Sequence, residues 1–344
     1  MKLTVVVGMS GGVDSSLAAY LLKKEGYRVL GLFMKNWEEE GNCSAANDWQ
    51  DVVSVCSQLD IPFYGVNFAA EYREKVFAYF LEEFRSGRTP NPDILCNREI
   101  KFDALFKKAK ELGADFLATG HYARTNTSGE LLRGLDPQKD QSYFLYTLKR
   151  DILKETLFPI GHLPKSEVRR LAKEAGLTTA AKKDSTGICF IGKRDFRQFL
   201  SRFIPFEPGP IVSVDGKTLG QHVGLPFYTL GQRKGMGIGG EGDAWFVVAK
   251  DLPHNTLLVA QGNDHPALFA SSLTASSLSW ISDPPTHSVT AKVRYRQKDQ
   301  PCTLEPLASR DLLVHFATPQ RAVTPGQSVV FYEGDLCLGG GVIS

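Results

Sequence analysis

The sequence predicts an α/β protein in which a Rossmann-like domain with a parallel sheet precedes two small β-rich domains, the last of them a β-barrel. Three observations carry this prediction. Apolar strands alternate with helices in the first part of the chain, a proline-rich stretch at 203–210 interrupts that pattern, and short glycine-punctuated β segments follow. We therefore expect domains at 1–203, 204–270 and 271–344, the second boundary resting on a serine-rich stretch near Ser271.

Length and composition limit the class of protein. The chain has 344 residues, of which 42% are hydrophobic and 23% are charged, and these values argue against a disordered or fibrous protein. Met1 and Lys2 lead straight into the first strand, and no apolar run is long enough to cross a bilayer, which favours a soluble cytoplasmic protein. With a net charge of only +2, any basic surface must be local.

A glycine-rich turn joins the first predicted strand to the first predicted helix. The β-branched run Leu3–Val7 predicts a buried strand, and the helix that follows ends at Gly26. Glycines between them let the backbone approach an anion, and the helix N-terminus offers N–H groups. No Gly-Lys-Ser/Thr follows, so this is not a Walker loop. The form Ser-Gly-Gly-Val-Asp-Ser at 10–15 instead resembles the pyrophosphatase loop (PP-loop) of adenine nucleotide α-hydrolases, which split ATP into AMP and pyrophosphate.

The next elements place this loop at a binding edge. Strands are predicted at 28–34, 63–67 and 115–119, and helices are predicted from Asp48 onward, at 71–85 and at 102–112. Ligands of open α/β sheets collect at the carboxyl ends of the strands. Since Gly8, Met34 and Gly120 stand at such ends, we expect them to line one adenosine pocket.

Two of the six cysteines have a setting suited to sulfur chemistry. No Cys-x-x-Cys pair and no zinc-like spacing occurs, so no metal site is expected. Cys96 is expected in a turn-rich loop three residues after Asp93, and Cys189 follows two lysines, Lys182 and Lys183. Nearby cations lower the pKa of a thiol and raise its thiolate fraction. On the local sequence alone, a plain buried or surface thiol remains the alternative for both.

A basic pattern lies near the C-terminus. Lys292, Arg294, Arg296 and Lys298 stand at every second position of a predicted strand, so their side chains are expected to share one face. A solvated exterior face and a phosphate-contacting face both fit this pattern.

Several sequence blocks together resemble the tRNA-specific 2-thiouridylase family. They are the PP-loop, GRTPNPDILCN at 87–97, GHYAR at 120–124, KDQSYFL at 139–145 and DSTGICFIG at 184–192, and the resemblance continues through 228–235 and 321–327. It therefore covers nearly the whole chain. It implies ATP-dependent replacement of the C2 oxygen of the wobble uridine in the tRNA anticodon by sulfur.

The resemblance also implies how the reaction is divided among residues. ATP, with Mg²⁺ shielding its phosphates, would adenylate the uridine, and the nucleotide would be bound by Gly8, Met9, Ser10, Gly11, Gly12, Val13, Asp14, Ser15, Met34 and Gly120. Sulfur would arrive as a persulfide on Cys189 from a cysteine desulfurase or a sulfur-relay protein. Either its terminal sulfur attacks C2, or the nucleophile Cys96 frees hydrosulfide from it and leaves a Cys96–Cys189 disulfide.

Contacts with tRNA are implied in the same way. Asp93 would handle protons as an acid or base, and 91–93 would contact the flipped-out target base. The positions that match tRNA contacts are Asn91, Pro92, Asp93, His121, Lys139, Asp140, Gln141, Arg294, Tyr295 and Gln327. The resemblance favours tRNAs for lysine, glutamate and glutamine as substrates, and we expect a monomer that does not bind membranes.

Two other classes of function remain open at this point. Other pyrophosphatase-loop enzymes activate carboxylates for amide formation, but they need an ammonia source and no paired redox cysteines. A nucleotide-regulated RNA-binding module would explain the β domains and the basic pattern, but it would leave both cysteine motifs without a role.

Overall fold

A computed structural model of the chain describes residues 2–38, 44–184, 195–285 and 287–344. Cys43 and Cys189 lie outside these described residues. Within them, no helix is long and apolar enough to span a lipid bilayer.

Strands and helices alternate through the N-terminal part of the chain. The strands are β1 (Thr4–Met9), β2 (Arg28–Lys35), β3 (Phe63–Asn67), β4 (Phe116–Ala118), β5 (Ala123–Thr125), β6 (Leu131–Arg133) and β7 (Thr156–Leu157). The helices are α1 (Val13–Lys24), α2 (Ser44–Gln58), α3 (Ala69–Tyr72), α4 (Ala78–Arg85), α5 (Pro92–Leu95), α6 (Leu105–Glu111), α7 (Arg150–Lys154) and α8 (Lys165–Glu174). Two π-helical segments, Arg73–Phe77 and Cys96–Ala104, join α3 to α4 and α5 to α6, and a 3₁₀ turn spans Ser142–Phe144.

Five of these strands form a parallel sheet in the order β3-β2-β1-β4-β7. The middle of β1 is fully buried, because Val5 and Val7 pack against α1, α2 and α8 while Val6 packs against the helices on the opposite face. The predicted parallel sheet covered on both faces is therefore confirmed, with strand ends shifted by one or two residues.

The central part of the chain forms a small β-rich unit. It contains α9 (Phe196–Leu200), β8 (Gly209–Ser213), β9 (Thr218–His222), β10 (Trp245–Asp251) and β11 (Thr256–Gln261), with 3₁₀ turns at Leu225–Phe227 and Pro266–Leu268. The sheet order is β10-β11-β8-β9. Its core contains Ile211, Tyr228, Met236, Val247, Leu257 and Val259.

The C-terminal part closes into an antiparallel barrel. Its strands are β12 (Phe269–Trp280), β13 (Val289–Lys292), β14 (Gln300–Pro306), β15 (Leu312–Arg321), β16 (Ser328–Glu333) and β17 (Leu336–Ile343). They pair in the order β12-β15-β14-β13-β16-β17, and β17 pairs back onto β12, which closes the predicted barrel. The β5–β6 hairpin extends this sheet, because β6 pairs with the start of β17. The N-terminal domain and the barrel are thus joined by backbone hydrogen bonds.

The prediction of a basic strand is wrong. β13 ends at Lys292. The chain then turns, and Val293 N–H donates to Gln297 Oε1 over 2.9 Å within this turn. Lys292 is buried, with its ammonium 5.6 Å from the ring centroid of Tyr332. Arg294, Arg296 and Lys298 are exposed on turns and an irregular segment, so the four cations do not share a strand face.

Candidate active site

The carboxyl ends of β1, β2 and β4 meet at one edge of the parallel sheet. Gly8 pairs with Leu32 in β2, Met34 lies two positions further along that strand, and Gly120 follows β4. A Cβ added to Gly120 would lie 2.7 Å from the backbone nitrogen of Ser15, so the β4 loop touches the beginning of α1. The structure therefore brings the residues predicted to bind the nucleotide to one edge.

The PP-loop is shaped by glycine and by its own hydroxyls. Gly11 has φ +73°, and a Cβ there would lie 2.6 Å from the carbonyl oxygen of Asp48, so a side chain has no room. Ser15 Oγ accepts from Ser10 N–H and donates to Gly12 O, both over 3.2 Å. The N-cap of α1 is Gly12, which has no side chain to accept from the first N–H groups of the helix. The first N–H groups of α1 are thus directed at the loop, where an anion such as phosphate is favoured.

Asp14, in the first turn of α1, is held by a cation and a phenol. Lys165 Nζ donates to both carboxylate oxygens over 2.7 and 2.8 Å, and Tyr122 Oη donates to one of them over 2.7 Å. Burial and the Asp14 charge raise the pKa of Tyr122 far above its ordinary value, so this phenol remains a donor. The loop carboxylate is therefore fixed in place and its charge is balanced.

Lys165 also connects the loop to Asp184. Its ammonium lies 2.9 Å from Asp184 Oδ1, and Lys139 and Arg169 lie 2.8 and 2.7 Å from the same carboxylate. Burial raises the pKa of Asp184, but hydrogen bonds from Lys139 and Lys165 outweigh this effect and lower the pKa to about 2. Asp184 is the last described residue before Cys189, whose position lies outside the structure's described ranges.

A second lysine ties the same stretch to the PP-loop. Lys182 Nζ lies 2.7 Å from Asp48 and 2.6 Å from Asp51, and donates to Gly11 O over 3.0 Å. Burial lowers the pKa of Lys182, but the two carboxylates outweigh this and raise it. The prediction that a helix begins at Asp48, with Asp48 as its cap, is wrong, since α2 begins at Ser44 and Asp48 lies within it. Residues 182–184 are therefore attached to the loop by two lysine side chains.

Cys96 lies on a helix, so its predicted place in a turn-rich loop is wrong. Asn91 caps α5, with its side chain accepting from Asp93 N–H over 3.2 Å, and Pro92 occupies the first helical position. Both residues begin helices well, and the helix predicted from 102 therefore begins ten residues earlier. Cys96 is 6% exposed in an apolar cluster with Ile94 and Ile100, not in polar surroundings.

Asp93, Lys101 and His121 form a polar group beside this helix. Asp93 is exposed, yet surrounding protein raises the pKa of its carboxyl, and Lys101 partly offsets the effect. Lys101 Nζ lies 3.3 Å from His121 Nε2, and His121 Nδ1 lies 2.8 Å from Thr119 Oγ1. Burial and then Lys101 lower the pKa of His121 well below its usual range, so the ring is neutral and accepts from Lys101.

Three residues predicted to contact tRNA shape one turn. Asp140 is 5% exposed, and its carboxylate accepts from the N–H groups of Gly134 and Ser142. Gln141 Oε1 accepts from Tyr122 N–H over 2.9 Å. The Lys139 carbonyl accepts from Tyr295 Oη over 3.2 Å, so the turn meets the barrel.

The remaining three lie on the barrel side. The ring centroids of Tyr295 and Phe144 lie 4.5 Å apart. Burial raises the pKa of the Tyr295 hydroxyl to about 12. Arg294 donates to Ala322 O over 2.8 Å, and burial lowers its pKa. Gln327 Nε2 donates to Thr89 O over 2.7 Å. These side chains join the barrel to neighbouring parts of the chain.

Lys165 and Lys101 belong to this site but were missed by sequence reasoning. Lys165 begins α8, where the helix dipole disfavours a cation, and a cation there indicates a carboxylate partner. Lys101 directly precedes the helix predicted at 102–112 and carries no comparable indication. Among the described residues, no group of three or more His, Cys, Asp or Glu could hold a metal ion.

Family models match three successive parts of the chain. The tRNA methyl transferase HUP domain matches residues 3–193, the tRNA methyl transferase PRC-barrel domain matches 197–261, and the aminomethyltransferase beta-barrel domain matches 270–343. The first of these covers more than half of the chain.

Curated relatives match almost the full length. The tRNA-specific 2-thiouridylase MnmA of Protochlamydia amoebophila is 56% identical, covering 99% of this chain and 93% of that protein. The proteins of the same name from Halalkalibacterium halodurans and Photorhabdus laumondii are 58% identical, covering 98% of this chain and 94% and 96% of their own. A solved structure of the U34-tRNA thiolase NcsA from Methanococcus maripaludis matches 58% of this chain and 65% of that chain at 20% identity, with a TM-score of 0.38, and adds nothing to the assignment.

Proposed function

Because the chain belongs to the tRNA-specific 2-thiouridylase family and is a tRNA sulfurtransferase, we propose that it replaces the C2 oxygen of the anticodon wobble uridine by sulfur in an ATP-dependent reaction. The observation that carries the proposal is the near-full-length match at 56–58% identity. The uncapped N-terminus of α1 at the sheet edge supports it, because the reaction needs a site for the phosphates of ATP.

The first step is adenylation of the uridine. A carbonyl oxygen is a poor leaving group, so O2 attacks the α-phosphorus of ATP, the bond to the β-phosphate oxygen breaks, and pyrophosphate leaves with that electron pair. The N–H groups at the beginning of α1 stabilise the charge that develops on the phosphates. Gly120 lies close to Ser15 N, so the backbone of the β4 loop also lies next to the beginning of α1.

Mg²⁺ fits this site through few protein ligands. Mg²⁺ at nucleotide sites is usually bound by one or two carboxylates together with phosphates and waters. Asp14 lies in the first turn of α1, and its carboxylate oxygens, which also accept from Lys165 and Tyr122, would hold the ion through their remaining lone pairs. When bound, Mg²⁺ screens the phosphate charge.

The second step is sulfur transfer. A cysteine desulfurase or a sulfur-relay protein supplies a persulfide on Cys189. Either the terminal sulfur attacks C2 and AMP leaves, after which the Cys96 thiolate attacks the Cys189 sulfur and releases the thiolated base, or the Cys96 thiolate attacks the Cys189 sulfur first and releases hydrosulfide, which then displaces AMP from C2. Both routes end with a Cys96–Cys189 disulfide, whose reduction by an external thiol restores both cysteines.

Asp93 is the proposed acid or base of these steps. A carboxyl with a raised pKa titrates closer to neutral pH and exchanges protons with the uracil more readily. Asn91, Pro92 and Asp93 precede Cys96 on the same helix, so a base held by them lies near the thiol. The tRNAs for lysine, glutamate and glutamine are the proposed substrates, and the proposed state is a monomer.

Nucleoside mass spectrometry tests the proposal. Undermodified tRNA is incubated with the protein, Mg-ATP and a sulfide or persulfide donor, and AMP is measured in parallel. The expected result is 2-thiouridine together with AMP, and neither product without tRNA. AMP without thiolated uridine would contradict the proposed substrate while leaving the nucleotide chemistry intact.

A further inference from the structure

A short segment that precedes the base-contacting residues is bound by side chains from both β-rich units. Residues 87–89 connect α4 to Asn91, the cap of α5. Lys250 of β10 donates from Nζ to Gly87 O over 3.0 Å. Gln327 of the barrel donates to Thr89 O over 2.7 Å, and Thr89 N–H donates to Pro325 O over 2.9 Å.

The geometry of this segment leaves it little freedom. Gly87 has φ +71° and ends α4 in a Schellman motif, in which Arg88 N–H donates to Glu83 O and Gly87 N–H to Phe84 O. A Cβ on Gly87 would lie 2.7 Å from Leu252, and one on Gly326 would lie 2.9 Å from Thr89 N. The segment is therefore packed between the central unit and the barrel.

Lys250 is an unusual residue for a purely structural contact. It is half-buried, and burial lowers the pKa of its ammonium to about 8. Among the described residues, no carboxylate lies within ion-pair distance of Lys250, so its hydrogen bond to a main-chain oxygen must offset its desolvation. An apolar side chain would pack there at lower cost. The Gly87 carbonyl follows the C-terminus of α4, where the helix dipole favours a cation.

We propose that Lys250 is a positioning residue of the thiolation reaction: together with Gln327 it fixes residues 87–89, and thereby the place of Asn91, Asp93 and Cys96 relative to the target uridine. Only Pro90 separates Thr89 from Asn91, so a displacement at Gly87 or Thr89 moves the beginning of α5. Lys250 touches no reacting atom. The effect of Lys250 on catalysis rests on the proposed function, whereas its hydrogen bond to Gly87 O does not.

Hydrogen-exchange mass spectrometry and kinetics test this together. Lys250→Met keeps the apolar stem and removes the donor, Lys250→Arg keeps a donor, and Lys217→Met is the matched control, since Lys217 is an exposed lysine of the same unit. In K250M we expect exchange at 87–89 to rise about tenfold, and kcat for thiolation to fall about ten- to hundredfold with KM for Mg-ATP within about twofold. K250R should recover most of the loss, and K217M should match the wild type.

Two results would overturn the proposal. One is unchanged exchange at 87–89 in K250M, and the other is a uniform rise across all three parts of the chain, which would indicate a general loss of stability. If K250M does not fold, Lys250→Leu, which also removes the donor and keeps an apolar stem, replaces it, and exchange at 87–89 should again rise about tenfold above wild type. Because exchange is measured without tRNA, a wild-type protein that failed to thiolate would contradict the proposed function and leave this test standing.

Discussion

Gly120→Ala tests whether the close approach of the β4 loop to α1 is needed for the nucleotide site. The added Cβ would lie 2.7 Å from Ser15 N and 2.8 Å from the carbonyl carbon of Asp14, whereas ordinary contact begins at 3.4 Å. Both atoms belong to the backbone, so no side chain can rotate away. The loop or the beginning of α1 must move by about 0.7 Å, and overpacking of this kind lowers the free energy of unfolding by about 1–3 kcal/mol.

This shift should weaken the binding of Mg-ATP more strongly than it lowers the free energy of unfolding. The N–H groups of α1 would bind the phosphates, and a misplacement approaching 1 Å costs up to about 100-fold in a positioned site. We expect the Kd for Mg-ATP, measured by titration calorimetry, to rise at least about tenfold. Gly239→Ala is the control, since an added Cβ there meets nothing within 4 Å. A Kd for G120A within about twofold of wild type would refute the argument that this contact shapes the site.

Three further outcomes follow from the site. Cys96→Ser and Cys189→Ser should each abolish 2-thiouridine formation while the Kd for Mg-ATP stays unchanged, and residual thiolation in either variant would contradict the paired-cysteine route. For Asp93, whose pKa is raised, the base form is lost as pH falls, so the acid limb of the kcat profile should lie above the ordinary aspartate range and vanish in Asp93→Asn, whereas an identical limb in D93N would assign it elsewhere. The folded-state pKa of Asp184, about 2, lies below its usual value, so this carboxylate stabilises the fold above about pH 4 and that stabilisation is lost as pH falls through 2. Asp184→Asn should therefore lower the free energy of unfolding by about 1–2 kcal/mol at pH 7 and by much less at pH 2, as measured by urea titration at both values.

The fold was predicted correctly from the sequence where the local residue pattern and the tertiary environment favour the same structure. The β-branched run of β1 is buried on both faces, as its composition predicts, and the glycine loop that follows it stands at the sheet edge. The strand at 63–67 was predicted with the bounds that the structure has. The closed barrel also agrees with the short glycine-punctuated segments of the C-terminal part.

Tertiary contacts explain most of what was missed. Asn91 and Pro92 were taken as turn residues, although the same two residue types begin helices, and packing of Ile94 and Cys96 into the core decides between these outcomes. The alternation from Lys292 to Lys298 suggested a strand, but Gln297 folds back onto Val293 and ends the pairing. The bridge from Lys165 to Asp14 joins residues 151 positions apart, which no local pattern encodes.

The π-helical segment after α5 determines which side chain stands above Asp93. In an α-helix with 3.6 residues per turn, Lys101, eight positions on, would be rotated by about 80° past two complete turns. The wider π-helical turn over Cys96–Ala104 reduces the rotation per residue and so brings Lys101 closer to the Asp93 direction. The cation that acts on the Asp93 carboxyl is accordingly Lys101. Helical phase thus aligns a carboxylate with an ammonium group two turns away on one continuous helix, while Cys96 keeps its place among the apolar side chains of the core.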